Sequence, residues 1–211
     1  KLTSLDLSGN SNLDSLTCDG NPLTALNLSG CGMLTYLTCD HTQITSLDLT
    51  ACPKIEHVSS QYGVLKSVNA AGCSKLELLY LYRNELTSVN VSGCTSLRLL
   101  TCNNNKLTAL NVGDCDNIKL GLENEPITST IGGIEAHTYK ATVQNYYQNV
   151  LVVDASVNVT TSAAPTPVTP DPVPAITGLY NDPTLGWVLL NDGAMAVDYN
   201  GLWFDQNLGW W

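Results

Sequence analysis

Positive charge is scarce in this chain. Its 211 residues include 9 Lys and Arg, of which only Arg83 and Arg98 are arginines, against 19 Asp and Glu, for a formal net charge of -10. So few cations build no surface that grips phosphates, which excludes nucleic acid as a partner. Long apolar runs are missing too. No stretch approaches the roughly 18 to 20 residues that cross a bilayer, so no membrane span is expected in this fragment. Catalytic fingerprints are also lacking, with no GxSxG elbow, HExxH, GxxxxGK or GxGxxG in the sequence, and the three histidines (His41, His57, His137) stand in different contexts. Cys39 and His41 are close in sequence, but by their positions one faces inward and the other sits in a turn, which does not make a nucleophile and its base. The chain is therefore read as non-catalytic, with no cofactor and no metal.

What is present is uneven. The apolar fraction, 44%, excludes wholesale disorder. Residues 1 to 120 hold 10 acidic and 8 basic side chains, whereas residues 121 to 211 hold 9 acidic ones and only Lys140. All eight cysteines lie between Cys18 and Cys115, and all four tryptophans lie in the last 25 positions. The first residue is Lys1, with a repeat already under way, so the chain is expected to be a fragment whose signal peptide has gone.

Self-similarity dominates the first 120 residues, at a period of 21. Units start at Leu2, Leu23, Ile44, Leu65, Leu86 and Leu107 (LTSLDLSGN, LTALNLSGC, ITSLDLTAC, LKSVNAAGC, LTSVNVSGC, LTALNVGDC). A second set follows 11 residues later, at Leu13, Leu34, Ile55, Leu76 and Leu97 (LDSLTCDGN, LTYLTCDHT, IEHVSSQYG, LELLYLYRN, LRLLTCNNN). Each LxL alternates in the manner of a strand with one buried face, so a coil holds two short strands. Stacking the coils pairs equivalent strands in parallel and fills one continuous core, which a single coil cannot do alone.

The pattern LxxLxLxxN resembles the leucine-rich repeat, and its doubled 21-residue form is similar to a bacterial class found in cell-surface and secreted proteins. The resemblance covers residues 1 to about 118. It implies a mainly β leucine-rich-repeat solenoid with short parallel strands, two per coil, and by analogy a protein-interaction or adhesion role outside the cell or at its surface. The third coil departs from the pattern at Ser60, Gly63 and Ala70, and is expected to be locally weakest.

The cysteines are repeat positions copied along the array. Cys31, Cys52, Cys73, Cys94 and Cys115 form one row, and Cys18, Cys39 and Cys102 another. With no CxxC pair the usual zinc spacing is absent. Buried free thiols are the first reading and disulfides the alternative. The outward row Asp6, Asn27, Asp48, Asn69, Asn90 and Asn111 reads as a solvated strand face rather than a calcium ladder, and DCDNIKLG from Asp114 fails as a calcium loop because Ile118 stands where an oxygen ligand is required.

Outward positions of the first strand repeat small polar residues, whereas those of the second strand vary. Tyr36, His57, Leu78, Tyr80, Tyr82 and Leu99, joined by Tyr62, Arg83 and Arg98, would form an exposed aromatic and aliphatic patch with a cationic rim. Such patches mark interfaces, and Tyr and Arg are enriched in binding hot spots. A protein ligand is the expected partner, the alternatives being that another part of the chain or a second solenoid packs on the patch, or that it has no function.

Beyond Ile118 the pattern fails, since Gly121 and Glu123 fall where apolar residues are due. The expected organisation is a solenoid over 1–120, a small β cap over 121–160 whose segments look like strands rather than helices, a Pro-rich linker over 161–175, and an aromatic-rich β module over 176–211. That last segment repeats GLYNDPTLGWV as GLWFDQNLGWW and resembles, weakly, the aromatic repeats of choline-binding and glucan-binding wall modules. Those repeats run near 20 residues and carry a Trp-Tyr-Tyr strand that is absent here. The resemblance implies an alternative function, binding of cell-wall or host glycan through Tyr180, Trp187, Trp203 and Trp210 with the solenoid as spacer.

Overall fold

The structure is a computed structural model, and it describes residues 1–7, 9–141 and 149–161, together with the backbone of strand residues 178–182, 186–190, 195–197, 203–205 and 209–210. Two compact units are present, Lys1–Ala164 and Pro165–Trp211. The first is a mainly β solenoid of the leucine-rich-repeat type. Its second-strand ladder runs through β1 (Ser15–Thr17), β2 (Tyr36–Thr38), β4 (His57–Ser59), β6 (Leu78–Tyr80) and β8 (Leu99–Thr101), all parallel and each paired to the residue 21 positions on. The first-strand ladder is β3 (Ser46–Asp48), β5 (Ser67–Asn69) and β7 (Ser88–Asn90), also parallel, followed by β9 (Ala109–Asn111). Among the described residues, the equivalent segments around Leu5 and Leu26 form no strand. Both leucines are only partly buried.

Each repeat strand is three residues long, and its middle residue faces in. Leu37, Val58, Leu79 and Leu100 are fully enclosed, as are Leu34, Ile55, Leu76 and Leu97 at the coil starts. Side chains of the outward Asx row close the turns. Asn27, Asp48, Asn69, Asn90 and Asn111 each accept the backbone N–H two residues on, at 2.9 to 3.3 Å. This is the ordinary side-chain mimicry of a backbone turn, and it explains why the row tolerates Asp and Asn alike.

All eight cysteines are free and buried. Several lend their thiol to a carbonyl of a neighbouring coil, among them Cys94 to Ala70 O at 3.1 Å and Cys73 to Leu49 O at 3.4 Å. Burial pushes the thiols of Cys52 and Cys73 up to about 11, and those of Cys39 and Cys115 up to about 12. Thiolate is the reactive form, so at pH 8 the native protein is expected to take up no charged thiol reagent, and to take up eight equivalents once unfolded. Partial labelling without denaturant, counted by intact mass, is the result that would contradict this.

After β9 the chain forms a short helix, α1 (Asp116–Leu122), whose last two residues enter the 121–160 segment expected to hold strands rather than helices. Ile118 still fills the core position 21 residues beyond Leu97 and is 1% exposed, so the helix forms around a repeat residue that keeps its place. The strands β10 (Ile127–Ile131), β11 (Ile134–Ala141) and β12 (Asn149–Asp154) are antiparallel to one another, and β12 pairs in parallel with β8 through Val150 with Leu99 and Val152 with Thr101. β13 (Asn158–Thr160) pairs in parallel with β9. The segment after α1 thus extends both ladders of the solenoid, Leu151 and Val153 being as buried as the repeat leucines.

In the second unit β14 (Gly178–Asp182) and β15 (Gly186–Leu190) form an antiparallel pair, and β16 (Met195–Val197), β17 (Trp203–Asp205) and β18 (Gly209–Trp210) a three-stranded antiparallel sheet. The Pro-rich segment 162–174 lies outside the described residues.

Candidate functional site

Parallel in-register pairing places outward side chains one coil apart in straight rows. On the second-strand face one row runs Ser15, Tyr36, His57, Leu78, Leu99, and the next runs Thr17, Thr38, Ser59, Tyr80, Thr101. Strand pairing at about 4.8 Å is close to ring-contact distance, and the rings use it. The centroids of Tyr36 and His57 are 4.7 Å apart, and those of His57 and Tyr80 5.4 Å. A second track lies past the strand ends, where His41 stacks on Tyr62 at 4.9 Å with planes 9° apart and Tyr62 meets Tyr82 edge-on at 5.3 Å. Along the first track lies a shallow groove of about 410 Å³, lined by Asp19, Asp40 and Gln61 as well as Tyr36, His57 and Tyr80.

The groove floor is tied down by its carboxylates. Asp19 accepts the backbone N–H of Asp40 at 2.7 Å and the Thr38 hydroxyl at 3.2 Å. Asp40 repeats the device one coil on, with one oxygen accepting the N–H of Gln61 at 2.7 Å and the Ser59 hydroxyl at 2.8 Å. Burial holds the imidazole of His57 below its ordinary value, the Arg98 cation acting in the same direction and the Asp40 carboxylate against it.

The structure gathers most of the residues singled out in the sequence. Tyr36, His57, Leu78, Leu99 and Tyr80 share the strand face, while Tyr62 and Tyr82 share the second track. Tyr36 is 38% exposed and Tyr62 44%, the others being half-buried. The cationic rim divides: Arg83 is exposed in a turn, whereas Arg98 donates from Nε to Glu77 at 3.0 Å and is screened by that carboxylate. His41 was not singled out although it stands 21 residues before Tyr62. Its partner in the next coil was the signal that could have found it. Cys39 is buried with its thiol directed to Ser59 O, while His41 is exposed on the far side of the turn, so those two side chains do not act together.

Backbone geometry sets the second track apart. Its row, Gly20, His41, Tyr62, Arg83 and Asn104, is left-handed throughout, with φ of 64°, 55°, 55°, 61° and 58°. Only the first coil uses the glycine this region favours. At Asn104 the reason is structural, since its side-chain amide donates to Ile131 O at 3.1 Å. The β10–β11 turn lies against this end of the face, where a Cβ on Gly132 would stand 3.1 Å from the Tyr82 hydroxyl. The far end of the patch is thus partly covered by the chain itself, and the end from Tyr36 to Tyr62 is open.

Comparisons with known proteins add little to this picture. No family model and no curated protein matches the sequence. One likeness is to a solved structure. It is the functional domain of InlJ from Listeria monocytogenes, described as including a cysteine ladder, with 23% identity and a TM-score of 0.36 over 56% of this chain and 31% of that one. The chain therefore spans about a third of that structure's length.

Of the tail residues, Tyr180 stands opposite Val188 in the β14–β15 pair, Trp187 opposite Asn181, Trp203 opposite Val197 and Trp210 opposite Phe204. Their side chains lie outside the described residues. No helix among the described residues is long and apolar enough to cross a membrane.

Proposed function

We propose that this chain is a non-catalytic protein-binding or adhesion module of a bacterial surface or secreted protein, which engages a protein ligand through the second-strand face of the solenoid. The patch is Tyr36, His57, Tyr62, Leu78, Tyr80, Tyr82 and Leu99, with His41 added by its stack on Tyr62, and Arg83 and Arg98 at its rim. Residues 121–160 serve as the cap that closes the open end of the array.

The observation that carries this reading is the left-handed row. A non-glycine residue in that conformation costs roughly 1 to 2 kcal/mol, and Gly20 shows that the coil accepts glycine there. Holding His41, Tyr62 and Arg83 in such positions is unfavourable for folding alone. Strain concentrated where exposed aromatic side chains converge is a mark of a recognition surface.

The test is capture from host extracellular matrix and from purified cell wall, comparing the chain with the variant Tyr36→Ser, Tyr80→Thr, Tyr82→Asp, which imposes the bland residues of other coils on the face. A protein partner retained by the first and lost by the second is the expected result. Tyr62→Gly serves as a second arm. Its relief of backbone strain offsets the loss of two ring contacts worth about 0.5 to 1.5 kcal/mol each, so its melting temperature is expected to stay within a few degrees while capture weakens at least tenfold. Capture of wall material that survives every substitution would instead direct attention to Tyr180, Trp187, Trp203 and Trp210.

A further inference from the structure

Among the described residues the eight-stranded sheet ends in β10, paired to β11 on one side and bearing no strand on the other. Its first four residues are exposed and the fifth partly so. An edge of this kind is normally guarded by lysine, proline or a bulge within the strand. β10 carries none of these, reading Ile127-Thr128-Ser129-Thr130-Ile131 without a charge. The exposed apolar side chains cluster here too, Ile127 at 56% and, beside Ile131 on the neighbouring strand, Ile134 at 43%.

The strand reads the same in both directions. If two copies meet antiparallel about a two-fold axis through Ser129, Ile127 stands opposite Ile131 of the second copy, Thr128 opposite Thr130, and Ser129 opposite Ser129. Every side chain then meets one of its own class, and β-branched and hydroxyl cross-strand pairs are favourable ones. The flanking charge fits the same register, because Glu125 falls opposite Gly133 of the second copy rather than opposite another carboxylate. A two-fold contact requires a self-complementary patch, and this strand supplies one in its sequence.

We infer that β10 is a homodimerisation edge, joining two copies through antiparallel β10–β10 pairing centred on Ser129. The axis stands perpendicular to the sheet, so the second-strand faces of both copies point the same way. Dimerisation does not rest on the binding reading above. Should that reading hold, the pair would present two patches on one side, and multivalent contact raises avidity without any new interaction.

Five paired residues make a small interface, below the roughly 1,200 Å² of stable complexes, so a weak, concentration-dependent dimer of the full chain is expected in sedimentation velocity. Ser129→Lys sets like charges face to face on the axis and should abolish the dimer while leaving the melting temperature unchanged, since position 129 is exposed. Register is tested with cysteine. Ser129→Cys should give a covalent dimer with a short bifunctional thiol reagent, whereas Ile127→Cys should not, its symmetry mate lying about 13 Å along the strand. The native thiols are buried and do not compete. A monomer at every concentration, a dimer that survives Ser129→Lys, or equal cross-linking at both positions would overturn the inference.

Discussion

Asp154→Ala is expected to lower the unfolding free energy by about 3 kcal/mol, through loss of two hydrogen bonds to a buried carboxyl group and exposure of their donors as unsatisfied groups. Asp154 is 4% exposed. Its two oxygens accept the backbone N–H of Asn104 at 2.6 Å and of Asn105 at 3.0 Å. These contacts join β12 to the turn that follows β8, so they fasten the last strand of the second-strand ladder to the coil before it. Asn is a poor substitute, because one oxygen would remain while the amide nitrogen would face an N–H. Asp154→Asn should recover no more than half of the loss. Denaturant unfolding measures the total, and amide exchange at Asn104 and Asn105 locates it. A loss under about 1 kcal/mol, the worth of one ordinary hydrogen bond, would show that water replaces the carboxyl group.

A cost of similar size is expected at Asn84, in the coil after the irregular one. Its amide nitrogen donates to Ser60 O at 2.7 Å and to Leu81 O at 3.2 Å, and its oxygen accepts the N–H of Leu65 at 3.2 Å. Asn21 and Asn105 make the same kind of stitch in their own coils. Thr42 closes only its own turn, to Cys39 O at 2.9 Å, and Gly63 has no side chain with which to do even that. Asn84 reaches across this gap, so that a Cβ on Gly63 would stand 2.9 Å from its oxygen. Replacing Asn84 with alanine removes three hydrogen bonds and strands two buried backbone groups, Ser60 O and the Leu65 N–H, while Leu81 O keeps the Asn105 amide at 3.0 Å; about 3 kcal/mol is expected at roughly 1 kcal/mol per bond. Thr42→Ala, with one bond at stake, should cost about 1 kcal/mol. Equal losses at the two positions, read by denaturant unfolding, would mean that the inter-coil bonds add nothing.

The repeat was legible because the solenoid core is local. Each LxxLxL segment buries residues fixed by a short period, so Leu37, Leu79 and Cys94 can be placed inward by counting. Counting also brought Tyr36, His57 and Tyr80 together, since parallel in-register pairing turns a spacing of 21 into adjacency in space. The helix α1 was not legible. Its core residue Ile118 obeys the repeat, and the short polar run around it carries no helical period long enough to read. The stack of His41 on Tyr62 was missed because turn positions looked free of constraint, whereas the row is pinned in one backbone conformation.

The sequence by itself determined the solenoid, the inward and outward sides of each short strand, and the rows in which the aromatic residues lie, because a period copied without insertion leaves one register that buries every leucine. Tertiary structure decided where the array closes. Asp154 finds its partners 49 and 50 residues earlier, and the β10–β11 turn comes to rest near Tyr82 through the Asn104 contact with Ile131. No local pattern encodes such meetings. They arise because an open sheet end and its unpaired backbone groups must be covered by whatever part of the chain reaches them.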